Sequence, residues 1–250
     1  MENKETVLVT GGSGFIASHC IIQLAAAGYK VKATVRDLSR TNKLNQTLLN
    51  GLEKHEGKSD LSVDWQVTNL SSDEGWDEAM AGCDYVLHVA SPIAMQLPKD
   101  EDEMVKPAVE GTLRVLKAAS KAGVKRVVVT SSVAAIMYGT DKEGIFNEED
   151  WTDPKSKTTN VYAKSKTLAE KAAWEFIEKD NSGMELSTVL PAVVFGPILE
   201  EDFGVSVGAI LDMMNGKYPI VPNWDMGVVD VRDVAALELL AMTKPEAAGK

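Results

Sequence analysis

A tyrosine and a lysine stand four residues apart at Tyr162 and Lys166, in a stretch whose pattern predicts a helix over 159–180. Because residues i and i+4 share one face of a helix, we expect the phenol and the ammonium to lie side by side. A free phenol has a pKa of about 10, and a neighbouring ammonium lowers that pKa. We therefore expect the pair to protonate a developing alkoxide, or to accept a proton from an alcohol.

Two serines are candidate partners for this pair. Residues 126–130 (RVVVT) predict a buried strand, and Ser131 and Ser132 follow its carboxyl end. A serine hydroxyl at that edge of a sheet can polarise a carbonyl group by donating a hydrogen bond to its oxygen. We expect only one of the two to do so. Ser132 is the favoured candidate, and Ser131 remains the alternative.

A glycine-rich turn lies near the amino terminus, where residues 10–17 read TGGSGFIA after the first predicted strand and at the start of the first predicted helix. Gly12, Gly14 and Ala17 fit the pattern G-x-G-x-x-G/A, and starting at Gly11 the turn also fits G-x-x-G-x-x-A. Such a turn lets a bare backbone approach a pyrophosphate, which then lies at the helix amino terminus. Its position between a strand and a helix predicts a dinucleotide site.

The end of the second predicted strand bears on which dinucleotide is bound. A site that prefers NAD usually has a carboxylate there, which holds the ribose 2′-hydroxyl. The matching position is Val35, and Arg36 follows it. A guanidinium at this point can pair with the 2′-phosphate of NADP, and Lys43 is a candidate second cation.

Strands and helices alternate along the first 190 residues, which predicts βαβ units and a doubly wound parallel sheet of the α/β class. The predicted strands are 6–10, 31–35, 61–67, 85–90, 126–130 and 186–190, and the predicted helices are 15–27, 38–52, 76–80, 101–122 and 159–180. Beyond them we expect a helix near 205–215, a strand at 228–230 and a helix at 231–242.

We expect two regions along the chain. Residues 1–190 are predicted to form a dinucleotide-binding Rossmann domain. Residues 191–250 are predicted to form a small substrate-binding region, interleaved with the last strand and helix of that domain. Irregular backbone past the carboxyl ends of the strands is where an open α/β sheet builds its ligand site.

Composition argues against several classes of function. The chain has 250 residues, of which 44% are hydrophobic and 25% charged, as is ordinary for a globular protein. A net charge of −11 argues against nucleic acid and anionic membranes as partners. Cys20 and Cys83 are expected to be buried free thiols, and the three histidines show no metal-ligand spacing, so no metal is expected. The polar amino terminus predicts no secretory signal, and we expect a cytoplasmic protein.

Together these residues resemble the extended short-chain dehydrogenase/reductase family. The resemblance covers the whole chain and includes the segments 10–17, HVASP at 88–92, VEGT at 109–112, 130–132, 162–166 and PAVVFGP at 191–197. Residues 35–37 and 166–174 are most similar to the dihydroflavonol reductase branch. That branch also holds cinnamoyl-CoA reductases and fungal and bacterial aldehyde, methylglyoxal and ketone reductases. The resemblance implies NADPH-dependent reduction of a small, hydrophobic aldehyde or ketone by a monomer or homodimer.

The resemblance also assigns roles to residues of this chain. Ser132 would polarise the carbonyl, Tyr162 would donate the proton, and Lys166 would lower the Tyr162 pKa and hold the nicotinamide ribose. A larger set would contact NADP(H). Its members are Gly11, Ser13, Gly14, Phe15, Ile16, Arg36, Lys43, Asn69, Leu70, Ala90, Ser91, Thr130, Tyr162, Lys166, Pro191, Val193 and Val194.

Two features depart from the family's pattern. Asn69 stands where the family often has an aspartate near the adenine, and an amide can still form a hydrogen bond there. Relatives continue past the position of Lys250, so we expect the substrate-binding region to be truncated here. The expected substrate wall is otherwise apolar, which suits a carbonyl compound that is not a sugar. It comprises residues 91–95, Phe203, Pro222 and Trp224.

Two alternative functions remain. A nucleotide-sugar epimerase or dehydratase has the same fold, but dehydratases tend to carry acidic residues just after the catalytic hydroxyl, where this chain has Val133, Ala134 and Ala135. A sensor that binds NADP without turnover would be expected to lose the tyrosine or the lysine. Both Tyr162 and Lys166 are present, which favours the reductase.

Overall fold

The structure, a computed structural model, is built on a parallel sheet with helices on both faces. It describes residues 5–56, 58, 60–92, 98, 100–199, 204–217 and 226–250. Within these residues six strands form the main sheet in the order β3-β2-β1-β4-β5-β6, and a separate parallel pair is formed by β7 and β8. The doubly wound α/β fold predicted from the sequence is confirmed.

The strands of the main sheet are β1 (Thr6–Val9), β2 (Lys30–Val35), β3 (Val63–Val67), β4 (Tyr85–His88), β5 (Arg126–Thr130) and β6 (Glu185–Val189), and the small pair is β7 (Val193–Phe195) and β8 (Val228–Asp230). The helices are α1 (Phe15–Ala27), α2 (Thr41–Glu56), α3 (Trp76–Met80), α4 (Asp102–Ala122), α5 (Val161–Lys179), α6 (Gly204–Met214) and α7 (Val231–Thr243).

The core has two layers, because successive side chains of a strand point to opposite faces of the sheet. Val7 and Val128 pack on the face that carries α1, α2 and α7. Leu8 and Val127 pack on the other face, against α3, α4 and α5. Since both faces are covered, the central strands are apolar throughout, and all five residues of β5 are buried.

The strand order reverses between β1 and β4. β1 pairs with β2 on one side and with β4 on the other, and all of these pairs are parallel. The chain therefore leaves the carboxyl ends of β1 and β4 towards opposite faces, and a crevice opens between the two connections. The glycine-rich turn follows β1 and Ala90 follows β4, so both lie at this crevice.

Most predicted elements agree with the structure to within a few residues, and the differences have local causes. β3 begins at Val63 rather than residue 61, because its pairing with β2 starts at the register Val31 to Val63. β4 ends at His88, since the N–H of Ala90 donates to the Thr10 hydroxyl instead of continuing the strand. β7 was not predicted, because its partner β8 lies more than 30 residues away in the sequence.

Helix α7 belongs to the main sheet although it lies late in the chain. It packs against α1 and against β5 and β6. The predicted division of the chain at residue 190 stays a prediction. Through α7, residues after this position pack against elements that precede it. In the part of the chain that the structure describes, no helix is both long and apolar enough to cross a bilayer.

Arg126 ties α7 to the amino end of β5. Its side chain is 5% exposed, and its Nη1 donates to the carbonyl oxygens of Ala241 at 2.8 Å and Lys244 at 2.6 Å. Its Nη2 donates to Glu185 Oε2 at 2.6 Å. A cation at this position satisfies carbonyl groups that the end of α7 leaves unpaired and interacts favourably with the helix dipole.

We predict that Arg126→Met lowers the free energy of unfolding by about 2–3 kcal/mol, because buried carbonyl groups lose a charged donor. Lys125→Met is the matched control: Lys125 is 53% exposed in its ion pairs with Glu5 and Asp84, and we expect a loss of about 1 kcal/mol or less. Urea unfolding of the three proteins measures both effects. Equal losses in the two variants would contradict the role given to Arg126.

Candidate active site

The glycine turn presents backbone without side chains at the crevice. Gly11 has a φ of +68°, a conformation that L-residues rarely adopt, and a Cβ there would lie 3.1 Å from the Cβ of Ala90. A Cβ on Gly12 would lie 2.8 Å from Ala33 Cβ, and its N–H donates to the carbonyl of Thr34 at 2.8 Å. The turn therefore packs tightly on β2 and β4 and leaves its own surface bare.

The amino terminus of α1 opens onto this turn. Gly14 is its N-cap residue and has no side chain, so no side-chain cap satisfies the first N–H groups, and the first turn carries no acidic residue. Ser13, Phe15 and Ile16 are half-buried around it. Unpaired N–H groups and the positive end of the helix dipole together suit a pyrophosphate. The residues present therefore fit a dinucleotide.

The segment after β6 lies close to this helix end. Val194 is buried in a cluster in which Phe15 and Ile16 of α1 also pack. Pro191 precedes it, and its carbonyl accepts from the N–H of Val133 at 3.2 Å. Val193 lies in β7 and donates its N–H to the carbonyl of Gly227 at 3.0 Å. The structure thus brings Val194, one of the predicted contacts after β6, to the first turn of α1.

The predicted adenosine contacts lie on the outer strands of the same edge. Arg36 is exposed directly after β2, and Asn69 is exposed after β3, the neighbour of β2. The Oδ1 of Asn69 accepts from the N–H of Ser71 at 3.0 Å. Leu70 is half-buried beside α4, and Lys43 is exposed in the first turn of α2.

A buried histidine joins the turn to β4. The Nδ1 of His88 lies 2.9 Å from Thr10 Oγ1, which also accepts from the N–H of Ala90 at 3.0 Å. On its other side Nε2 lies 3.5 Å from Thr112 Oγ1. Burial, with a smaller effect of Lys166, lowers the pKa of His88 to about 3. The ring is therefore neutral at physiological pH and fixes the loop that carries Ala90.

Tyr162 lies in the first turn of α5, which begins where the side chain of Asn160 accepts from the N–H of Ala163 at 2.8 Å. The Ser132 hydroxyl lies near enough to the Tyr162 phenol to favour its charged form and so to lower its pKa. Ser131 is occupied elsewhere, because its hydroxyl donates to Glu170 Oε2. The structure therefore brings Ser132, rather than Ser131, to the phenol.

The pKa of Tyr162 shifts in the direction opposite to the one expected from the sequence. We expected Lys166 to lower it, but burial raises the pKa of this phenol above its ordinary value, and the nearby Ser132 hydroxyl only partly opposes that effect. The ammonium of Lys166 is directed instead at the carbonyl oxygen of Thr130, to which its Nζ donates at 3.0 Å. Helical spacing fixes the shared face of the two residues, but burial decides the direction of the shift.

Lys166 is 7% exposed, and burial lowers its pKa to about 8. Two buried carboxyl groups, Glu170 and Glu238, oppose this effect. A cavity of about 10 Å³ adjoins Lys166 and is lined by residues that follow β4 and β5, among them Ala90, Ser91 and Ser131. The predicted contacts after these two strands thus meet at the lysine.

The predicted substrate wall lies only partly within the described residues. Residues 93–95, Phe203, Pro222 and Trp224 lie outside the described residues. Ser91 and Pro92, which begin the wall, are half-buried at the end of the β4 connection. In the described part of the chain no group of His, Cys, Asp and Glu side chains has the arrangement of a metal site.

The sequence analysis missed the buried polar residues behind the site. Thr10 and His88 belonged to quoted motifs but received no role of their own. Glu170 lies one helical turn after Lys166, so its spacing would have revealed it. Glu238 had a weaker signal, a single carboxylate within the apolar run Val-Ala-Ala-Leu-Glu-Leu-Leu-Ala-Met at 234–242.

The low pKa of His88 predicts how the free energy of unfolding depends on pH. Below a pH of about 6.5 the imidazole of His88 binds a proton in the unfolded chain but not in the folded protein. The free energy of unfolding therefore falls by about 1.4 kcal/mol per pH unit as the pH decreases. In His88→Gln this contribution is absent, and we expect a flatter curve between roughly pH 6.5 and 4.5. Urea unfolding at several pH values measures the two slopes, which should agree above pH 7. Equal acid slopes would show that His88 is not the buried neutral base.

Comparison with known proteins shows the family of this chain. The family described as the NAD dependent epimerase/dehydratase family matches residues 7–250. A cinnamoyl-CoA reductase of Medicago truncatula is 37% identical over 250 residues, which cover 98% of this chain and 74% of the relative. An anthocyanidin reductase of Vitis vinifera is 34% identical over 263 residues, which cover 99% of this chain and 75% of the relative.

Solved structures give the same result. The yeast methylglyoxal/isovaleraldehyde reductase Gre2, complexed with NADPH, matches with a TM-score of 0.81 at 31% identity, over 98% of this chain and 76% of that chain. The resemblance seen in the sequence motifs is confirmed: the chain belongs to the NAD dependent epimerase/dehydratase family, the extended short-chain dehydrogenases/reductases.

Proposed function

We propose that this protein is an NADPH-dependent reductase that transfers a hydride to the carbonyl carbon of a small aldehyde or ketone. The observation that carries the proposal is the placement of the Tyr162 phenol near the Ser132 hydroxyl, one helical turn before a buried Lys166. These groups lie at the edge of the sheet where the glycine turn and the open end of α1 fit a dinucleotide. The named activities of the relatives and the NADPH in the Gre2 structure support the same conclusion.

In this proposal the chain holds NADPH along the carboxyl edge of the sheet. The backbone of Gly11 and Gly14 and the first turn of α1 bind the pyrophosphate, and Arg36 pairs with the 2′-phosphate. Asn69 lies on the adenine side. Further predicted contacts line the nicotinamide half. They are Ala90, Ser91, Thr130, Lys166, Pro191, Val193 and Val194.

Ser132, after β5, and Tyr162, at the start of α5, are the residues that stabilise the reacting oxygen and supply the proton. NADPH, when bound, supplies the hydride. Ser132 donates a hydrogen bond to the carbonyl oxygen and stabilises the negative charge that develops there. Tyr162 then transfers its phenolic proton to that oxygen. The phenol, whose pKa is raised above its ordinary value of about 10, is in its acid form at neutral pH, as a proton donor must be.

Lys166 has a binding role in this scheme. Its ammonium is anchored on the Thr130 carbonyl oxygen and is assigned to the hydroxyl groups of the nicotinamide ribose. It adds positive charge on the side of the site where the alkoxide forms. The role of lowering the Tyr162 pKa, expected from the sequence, is not part of the scheme.

The apolar residues after Ser132 favour a reductase over a dehydratase. Val133–Ala135 form a short 3₁₀ turn in which Ala134 and Ala135 are buried, and the segment offers no carboxylate to the site. An apolar wall discriminates weakly among hydrophobic groups of similar size, so we expect several aldehydes and ketones with alkyl or aromatic groups to be reduced. Conversion of a nucleotide sugar in the absence of such activity would favour the epimerase or dehydratase instead.

Cofactor preference is tested at Arg36. We predict that Arg36→Ala raises KM for NADPH by about tenfold or more and leaves KM for NADH nearly unchanged, because a charge-assisted bond to the 2′-phosphate contributes about 1.5–3 kcal/mol. Lys30→Ala, at the opposite end of β2, is the control for a general loss of positive charge. An equal loss for both cofactors would count against the phosphate contact.

The proton donor is tested at Tyr162. Tyr162→Phe removes one oxygen and keeps the ring, so we expect normal folding and NADPH binding, with kcat lower by about two to four decades. Tyr29→Phe, at the amino edge of the sheet, should keep full turnover. The measurement is NADPH consumption with a panel of aldehydes and ketones, alongside NADPH affinity. A Tyr162→Phe variant that binds NADPH and keeps nearly full turnover would overturn the mechanism.

A further inference from the structure

A carboxyl group lies buried behind the site, in the middle of α7. Glu238 is 0% exposed. Its Oε1 accepts from the Thr130 hydroxyl at 2.6 Å, and its Oε2 has no hydrogen-bond partner among the described residues. Burying a carboxyl oxygen without a partner costs free energy. The position therefore requires an explanation, because an apolar side chain would fill it without this cost.

The neighbours of Glu238 connect it to Lys166. Thr130 contacts both residues: its hydroxyl donates to Glu238, and its carbonyl oxygen accepts from the Lys166 ammonium at 3.0 Å. The charges of the two side chains also interact, since each shifts the pKa of the other towards the charged form. From α1, the thiol of Cys20 faces Glu238, and its pKa is raised by burial and by that carboxyl group.

We propose that Glu238 is a positioning residue whose buried carboxylate fixes Thr130 and keeps Lys166 charged. The inference rests on the proposed function in one respect, the role of Lys166 in binding the nicotinamide ribose. Glu238 has no direct contact with reacting atoms in this scheme. It acts through Thr130 and Lys166, from the opposite face of the sheet.

Titratable groups face Lys166 from three elements. Glu170 lies on its own helix, α5, Glu238 lies on α7, and His88 on β4 is neutral at physiological pH. Burial disfavours the ammonium and brings its pKa down to about 8, and both carboxyl groups counteract this. Removal of either carboxylate would therefore lower the pKa further, and Lys166 would lose its charge near neutral pH.

The two carboxyl groups are not equivalent. Glu170 accepts hydrogen bonds from the side chains of Ser131 and Trp174, and the nearby Thr188 also favours its charged form. Glu238 accepts one, from Thr130, and burial raises its pKa to about 7. The charge of Glu238 is therefore less stabilised by hydrogen-bond donors than the charge of Glu170, and it depends more on Lys166. Glu170 has the larger effect on the pKa of Lys166, whereas Glu238 is the carboxyl group whose own charge depends more on the lysine.

The test is the titration of Lys166 in the protein without NADPH. Lysine labelled with ¹³C at Cε reports each ammonium by NMR, and Lys166→Met identifies the signal. We expect the Lys166 midpoint to lie near 8 in the unaltered protein and to fall by about one pH unit in Glu238→Gln, which keeps an acceptor for Thr130 but removes the charge. Glu238→Asp, which keeps the charge, should restore most of that shift. Glu246→Gln, an exposed position, should change nothing.

Binding and turnover give a second readout. At a pH near 8 we expect NADPH affinity to be at least fivefold weaker in Glu238→Gln, and the alkaline limb of kcat against pH to move down with the NMR midpoint. If the Glu238→Gln variant does not fold, Glu238→Leu gives the same comparison, because apolar replacement of a buried charge is often tolerated.

The outcomes separate this inference from the proposed function. A Lys166 midpoint that is the same in Glu238→Gln or Glu238→Leu as in Glu246→Gln would overturn the role of Glu238. If the midpoint shifts as expected but the unaltered protein reduces no aldehyde or ketone, the proposed function fails and the coupling of Glu238 to Lys166 stands.

Discussion

The ammonium of Lys166 is the group on which the rest of this site depends. A charge that is almost fully removed from water is unstable unless other groups replace the lost solvation. Here the carbonyl oxygen of Thr130 accepts a hydrogen bond from the ammonium, and carboxyl groups on α5 and α7 supply negative charge. These supports come from both faces of the sheet. The lysine can therefore hold its charge only where β5, α5 and α7 are all in their native positions.

This dependence explains the structural importance of α7, which lies far from the glycine turn in the sequence. Arg126, at the amino end of β5, holds the carboxyl end of the helix, and Glu238, in its middle, meets Thr130 at the carboxyl end of the same strand. The two contacts fix α7 along the full length of β5. The register of the helix on the strand thus sets whether a carboxyl group reaches Thr130, the residue that contacts the lysine.

The sequence predicts the parts of this arrangement that follow from local spacing. Alternating strands and helices predict the sheet, and the glycine turn and the pair Tyr162 and Lys166 are predicted by their patterns and neighbours. The direction of the Tyr162 pKa shift is not predictable in this way, because it depends on how much solvent the folded chain excludes. The role of Glu238 is equally hidden, because its partner Thr130 is 108 residues away and only tertiary packing brings them together.

Burial is the main cause of both the raised pKa of Tyr162 and the lowered pKa of Lys166. The two shifts affect carbonyl reduction and alcohol oxidation differently. Burial disfavours the charged form of each group, so the phenol retains its proton while the ammonium tends to lose its own. A protonated phenol is a donor, which suits reduction of a carbonyl. Oxidation of an alcohol needs the phenolate as base, and this environment makes the phenolate costly. The site is therefore better suited to reduction at neutral pH, and its oxidative activity should need a more alkaline medium, in which the charge on Lys166 is itself being lost.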